Sequence, residues 1–154
     1  MKKMFFLSIV FTILSISAQS QKKYIDAFYR TKGNGQYICL NNNGLALVVF
    51  DEVGSFEMDY VCQYEMSNDT IIIDSELMGN ELYLIKDDRL CWYNSWNTKE
   101  FSKKRHGLKL MSAKEIEKFS IRHKYELDKF KLRITNGVLE PIPNNETERD
   151  TQKK

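Results

Sequence analysis

Two histidines are the residues of this 154-residue chain best suited to acid–base work near neutral pH. His106 ends the basic run Lys103-Lys104-Arg105-His106, and His123 falls within a periodic apolar stripe. A general base needs an orienting partner and a reacting group within roughly 3 Å, and the sequence names neither for either residue. The simpler reading makes His106 a solvated loop residue and His123 a partly buried structural one. Ser102 lies close to His106 but lacks the G-x-S-x-G elbow that would expose a nucleophile. Paired acids occur at Asp51-Glu52, Glu57/Asp59 and Asp87-Asp88. Carboxylates held roughly 5–10 Å apart across a cleft could hydrolyse glycosides, but each pair lies in or beside an expected turn, where acids serve turn geometry. The chain has no D-x-[DN]-x-[DN]-G calcium loop, and no strand-to-helix phosphate motif follows Gly33-Asn34-Gly35. The expectation is a non-enzymatic protein with no catalytic residue, no metal and no cofactor.

Cys39, Cys62 and Cys91 are spaced by 23 and 29 residues, so no C-x-x-C pair exists. An odd count leaves at least one thiol outside any intramolecular disulfide. One disulfide among the three with one buried thiol, or three reduced buried cysteines, both fit.

The aromatic cluster Trp92, Tyr93 and Trp96, with Asn94 and Asn97 beside it, ends an expected strand. Rings beside amides stack on sugars or line the mouth of a barrel around a small apolar ligand. The plainer alternative puts Trp92 in the core on the face of Leu90, with Trp96 closing one end.

These residues need elements to hold them. Tyr37–Leu40 and Leu45–Phe50 are rich in strand formers and flank Asn41-Asn42-Asn43-Gly44, a hairpin turn. Across residues 60–66, Tyr60, Cys62, Tyr64 and Met66 share one apolar face. Thr70–Asp74 carries three isoleucines and suits a strand buried on both faces. Leu82–Lys86 and Arg89–Tyr93 flank the turn Asp87-Asp88, and Thr98–Ser102 is the expected last strand. Tyr24–Tyr29 fits a helical turn or a strand. Ser112-Ala113-Lys114-Glu115 is a capping-box sequence, and Ile116, Phe119, His123, Leu127, Phe130 and Ile134 follow at helical spacing. Residues 130–134 also alternate like a strand, so the helix is expected to stop near Asp128 or Lys129. Gly137, Pro141 and Pro143 argue against regular structure beyond it. The fold class is mainly β: an antiparallel meander closing into a small barrel or sandwich, with one C-terminal amphipathic helix.

The N-terminus reads as an export address. Lys2 and Lys3 precede an apolar stretch from Met4 to Ile16, and small residues follow at Ser17 and Ala18. That order suits cleavage after Ala18, with Ser20 as second choice. As a helix the stretch reaches only about 20 Å of a core about 30 Å thick. With no cysteine near the cut, the mature protein is expected to be periplasmic or secreted and not lipid-anchored. Without Lys2 and Lys3, 21 basic residues balance 21 acidic ones. The balance is uneven: residues 19–98 hold six basic and twelve acidic side chains, and residues 99–154 hold fifteen and nine. The basic segment through Lys103, Lys104 and Arg105 suits a helix's solvated face, the domain's own acidic sheet, or an acidic or anionic envelope surface. Nucleic acid is not expected, since basic and aromatic residues do not interleave, and the expected state is a monomer or weak dimer.

The organisation that follows is a leader (1–18), a lead-in (19–35), a β-meander (36–102), a basic segment with a helix on the same domain (103–135), and a flexible polar tail (136–154). Gln36-Tyr37-Ile38-Cys39-Leu40-Asn41 running into Asn43-Gly44, Tyr64 before Asn68-Asp69-Thr70-Ile71-Ile72-Ile73, and then Asp88-Arg89-Leu90 resemble the meander of small lipocalin-like exported bacterial β-barrel domains. The resemblance covers about residues 36–102 and rests on turn chemistry. It implies an up-and-down barrel with a ligand-holding or envelope-accessory role and no reaction. Copper-resistance lipoproteins with a similar barrel carry a C-x-x-C and a lipidated cysteine. Both are absent here, so no metal role carries over. The remaining alternatives are a surface-mediated role, such as an inhibitor or immunity-type protein, and more remotely a hydrolase.

Overall fold

The computed structural model describes residues 24–32, 35–51, 59–76 and 79–143. The expected leader, both cleavage positions, Glu52, Glu57 and the tail beyond residue 143 lie outside the described residues.

Period-two alternation builds a closed barrel. The strands are β1 (Phe28–Arg30), β2 (Gln36–Leu40), β3 (Leu45–Phe50), β4 (Tyr60–Ser67), β5 (Thr70–Ser75), β6 (Gly79–Lys86), β7 (Arg89–Asn94), β8 (Glu100–Phe101) and β9 (Leu108–Leu110). From β1 to β7 each pairs antiparallel with the next, and β9 lies between β7 and β1, so eight strands close with β8 appended to β7. The outcome is the barrel, not the sandwich. At the closing seam Gly107 has no side chain to collide with β7: a Cβ there would stand 2.8 Å from the Leu90 carbonyl oxygen. Asp87 and Asp88, at φ +52° and +59°, make the β6–β7 turn, whose twist matches that of the strands.

Two apolar layers follow from the alternation. Ile38, Leu40, Val48, Tyr64, Ile71, Ile73, Tyr83 and Leu90 face inward and fill the barrel. On the outer face of β1–β3, Phe28, Tyr37, Cys39, Leu47 and Val49 form a second core with Met111, Phe119, Leu127, Leu132 and Leu139. These strands are therefore buried on both sides, which explains the unbroken run Leu45–Phe50. Residues 70–74, expected to be buried on both faces, are different. Ile71 and Ile73 are buried, but Ile72 is only half-buried, because among the described residues no helix packs on the outside of β5.

The covering layer also corrects the expected C-terminal half. A single helix was the expectation; α1 (Ala113–Arg122) and α2 (Lys124–Lys129) are separated by a break at His123, with φ −102° and ψ 31°. Glu115 accepts from the Ser112 backbone N–H at 2.8 Å and from its hydroxyl at 2.9 Å, so the cap lies where the sequence put it. The flexible tail expected from residue 136 begins later. Leu132–Thr135 (β10) and Val138–Pro141 (β11) form a hairpin around Asn136-Gly137, both at positive φ. Asn-Gly is the residue pair such a tight turn favours, and it outweighs the prolines that follow because Pro141 occupies the last strand position. Residues 24–29, left open between turn and strand, divide into a turn and β1. Among the described residues no helix is long and apolar enough to cross a membrane.

Candidate ligand site at the barrel mouth

The middle of the barrel is occupied by its own side chains. Tyr29, Tyr83, Ile38, Leu40 and Leu90 are essentially inaccessible there, as expected for eight strands, whose interior is just wide enough to be filled. Space opens toward one end. Inward-facing positions at that end carry Thr31, Gln36, Phe50, Glu81, Trp92 and Asn94, and they border a cavity of about 650 Å³. β8 completes its wall. β8 folds back on β7, pairing Asn94 with Glu100. The chain then makes a 3-10 turn at Lys104–His106, and Ser102, Lys103, Arg105 and His106 line the cavity beside β7.

Polar groups gather on one side of this mouth. The Glu81 Oε2 atom accepts from the Tyr83 hydroxyl at 3.1 Å and from the Tyr60 hydroxyl at 3.3 Å. Gln36 also bonds the Tyr83 hydroxyl, and Ser75 bonds that of Tyr60. Burial, reinforced by the Glu81 charge, raises the pKa of both phenols, so both keep their protons and donate them to Glu81. Glu81 is thus oriented by its neighbours inside the mouth. Arg105 Nε donates to His106 Nε2 at 2.8 Å, while Lys104 turns away to Asp87 at 3.2 Å. Lys103 and Arg105 have no ion pair among the described residues.

The sequence-expected aromatics separate. Trp92 shares the inward face of Leu90, lines the cavity and remains 40% exposed. Tyr93 points the other way, and its ring packs against Phe101 at 5.1 Å between centroids. Trp96 is 89% exposed in the turn after β7, so it closes nothing. Period two explains the split: neighbouring strand residues occupy opposite faces. The residues that sequence reading missed, Glu81, Gln36 and Phe50, lie on three different strands. Their only sequence signal is that each continues its strand's inward register.

Among the described residues the histidine, serine and cysteine candidates do not assemble into reactive groups. His106 Nε2 is committed to Arg105, and the Ser102 Oγ atom is buried without a hydrogen-bond partner, so the pair is not an activated nucleophile. His123 is 4% exposed, packed between the rings of Phe119 and Tyr37, with Nδ1 3.7 Å from Glu126 Oε2. Burial lowers its pKa, although Glu126 opposes this. Cys39, Cys62 and Cys91 are all free. Cys39 lies in the outer core, whereas Cys62 packs against the barrel interior, on the opposite side of the wall, so these two do not face each other. Among the described residues no three His, Cys, Asp or Glu side chains are placed to hold a metal ion. No family model, curated protein or solved structure gives a significant match to the chain.

Proposed function

We propose that this chain is an exported, non-enzymatic lipocalin-like domain that binds a small ligand at the Trp92 end of its barrel, as a cell-envelope accessory protein. The observation that carries the reading is the cavity of about 650 Å³, within the size range of small-molecule sites. Its lining combines large rings with a few oriented polar groups, the usual composition of such sites. Periplasmic or secreted location rests on the charged, apolar and small-residue order of residues 2–18. Native mass spectrometry of the protein purified from the periplasm, with and without Trp92→Ala, tests the binding. A co-purifying small molecule lost in the variant is the expected result; retention at wild-type occupancy would overturn the assignment of the site. An intact mass that still includes residues 1–18 would overturn export with cleavage.

A second reading, a surface-mediated inhibitor or immunity-type role, draws on a different observation. Trp96, Ile121 and Tyr125 are large apolar side chains left exposed, and such groups serve as anchors when a partner covers them. Loss of a co-purifying protein in Trp96→Ala, with ligand occupancy unchanged, is the result that favours it.

A further inference from the structure

We infer that the mouth cavity takes a small zwitterion, its ammonium end against Glu81 and its anionic end against Lys103 and Arg105. The inference rests on the proposed reading of this cavity as a ligand site, and goes beyond it by naming the ligand's charge pattern. Charge placement carries the argument. Glu81 is partly buried, and two tyrosyl hydroxyls fix its carboxylate beside the rings of Tyr83 and Trp92. A carboxylate next to aromatic faces favours an organic ammonium, which gains from both the charge and the ring quadrupoles. Glu100 borders the same cavity. Lys103 and Arg105 are exposed on the outer wall with no carboxylate partner among the described residues. They suit a phosphate or carboxylate, and a guanidinium adds directional donors to the charge.

Ligands with a single charge fit less well. An anion satisfies Lys103 and Arg105 but meets Glu81 and Glu100 in the same cavity. A cation satisfies the carboxylates but meets Lys103 and Arg105 in the same cavity. A neutral apolar molecule fills the space but offers none of these charged groups a counter-charge. Only a ligand carrying both signs, separated along its length, matches a cavity lined by two carboxylates and two cations. Phosphocholine has this chemistry and is the probe of choice. It occurs free and as a lipid headgroup, so the two sources need separate arms.

Isothermal titration of the full mature protein with phosphocholine, choline and inorganic phosphate reads the proposal directly. Phosphocholine is expected to bind at least tenfold more tightly than either fragment. Glu81→Gln keeps an amide oxygen for the two tyrosyl hydroxyls, and should weaken phosphocholine at least tenfold while circular dichroism stays unchanged. Lys103→Ala with Arg105→Ala should weaken it at least tenfold and reduce its salt dependence, leaving choline affinity nearly unaltered. Sedimentation with phosphatidylcholine vesicles separates the sources: free ligand is indicated by phosphocholine binding without vesicle binding, and a headgroup by both. Choline binding as tightly as phosphocholine overturns the inference, as does indifference of phosphocholine to Glu81→Gln. Absence of phosphocholine binding also overturns it, and the proposed function then stands or falls separately on the Trp92→Ala mass-spectrometry result.

Discussion

Tyr64 and Asn41 are joined by a buried hydrogen bond of 2.6 Å, in which the Tyr64 hydroxyl donates to the Asn41 backbone carbonyl. The bond ties β4 to the β2–β3 turn. Asn41 is itself buried, and its side-chain oxygen accepts from the backbone N–H groups of Asn43 and Leu45 at 2.9 and 3.0 Å. Tyr64→Phe deletes the donor but leaves the ring, so a loss of about 1–2 kcal/mol in urea unfolding is expected, with the m-value unchanged. Asn41→Ala removes the acceptor for two turn amides and should cost more than Tyr64→Phe. The reverse order would mean that the turn is held by other contacts.

Phe119 is the main link between the helical cover and the barrel. Its ring lies 6.1 Å from that of Phe28 and 5.0 Å from that of Tyr37, between centroids. Phe119→Ala is expected to destabilise by about 3–5 kcal/mol, because the removed ring leaves a cavity between two rigid layers. Hydrogen exchange should then quicken in α1, α2 and the β10–β11 hairpin more than in β4–β6. Uniform acceleration across the barrel would show that cover and barrel unfold as one unit.

The two layers also explain what the sequence made legible. Alternation in residues 60–66, the Asn-rich turn after Leu40 and the paired aspartates before Arg89 are local signals, and each lies where local rules put it. Ile72 misled because an apolar run does not say whether a second layer covers its outer face; among the described residues the outer core reaches Val61 on β4 but not β5. The helix break at His123 escaped because the apolar stripe runs straight through it. At the mouth, Trp92 stood out as a large residue at a strand end. Glu81 did not, because its importance comes from Tyr60, which is 21 residues away in sequence.

His123 gives a pH dependence of definite sign. Burial lowers its pKa from the usual 6.5, against the opposing pull of Glu126, Asp51 and Asp59 and with a smaller lowering from Arg122. The unfolded chain therefore takes up a proton at a pH where the native protein does not. The stability held by neutral His123 is complete above about pH 6.5 and is lost as pH falls toward the lowered native value. The slope in that window is at most about 1.4 kcal/mol per pH unit for one proton. The difference between wild type and His123→Gln, followed by urea unfolding from pH 7.5 down to pH 5, should shrink in this direction. A difference that grows as pH falls would reverse the assignment.

The three thiols should react slowly in the native protein. Burial, with help from the Glu81 and Asp74 charges, pushes the Cys62 thiol up to about 11, and burial also raises Cys39 and Cys91. The thiolate is the reactive species. Alkylation at pH 7.5 is expected to be slow, to accelerate as pH rises toward 11, and to reach all three residues only in denaturant. Two alkylated sites fewer in denatured, unreduced protein would reveal a disulfide.

Gly35 connects backbone geometry to the mouth without lining it. It has φ +64°, its carbonyl accepts the Asp51 N–H at 2.7 Å, and a Cβ there would stand 2.7 Å from the Cβ of Asp51. The following residue is Gln36, and Asp51 follows Phe50, so any shift that accommodates a methyl group moves two residues of the cavity wall. Gly137 is the comparison, since it has φ +79° and open space around it. Gly137→Ala therefore bears only the left-handed strain, about 1 kcal/mol. Gly35→Ala adds a collision between paired strand ends and should cost at least about 2 kcal/mol. It should also weaken phosphocholine binding, whereas Gly137→Ala should leave it unchanged. Equal unfolding costs would show that β2 and β3 separate easily at this end, and the mouth would then be wider than the 650 Å³ cavity suggests.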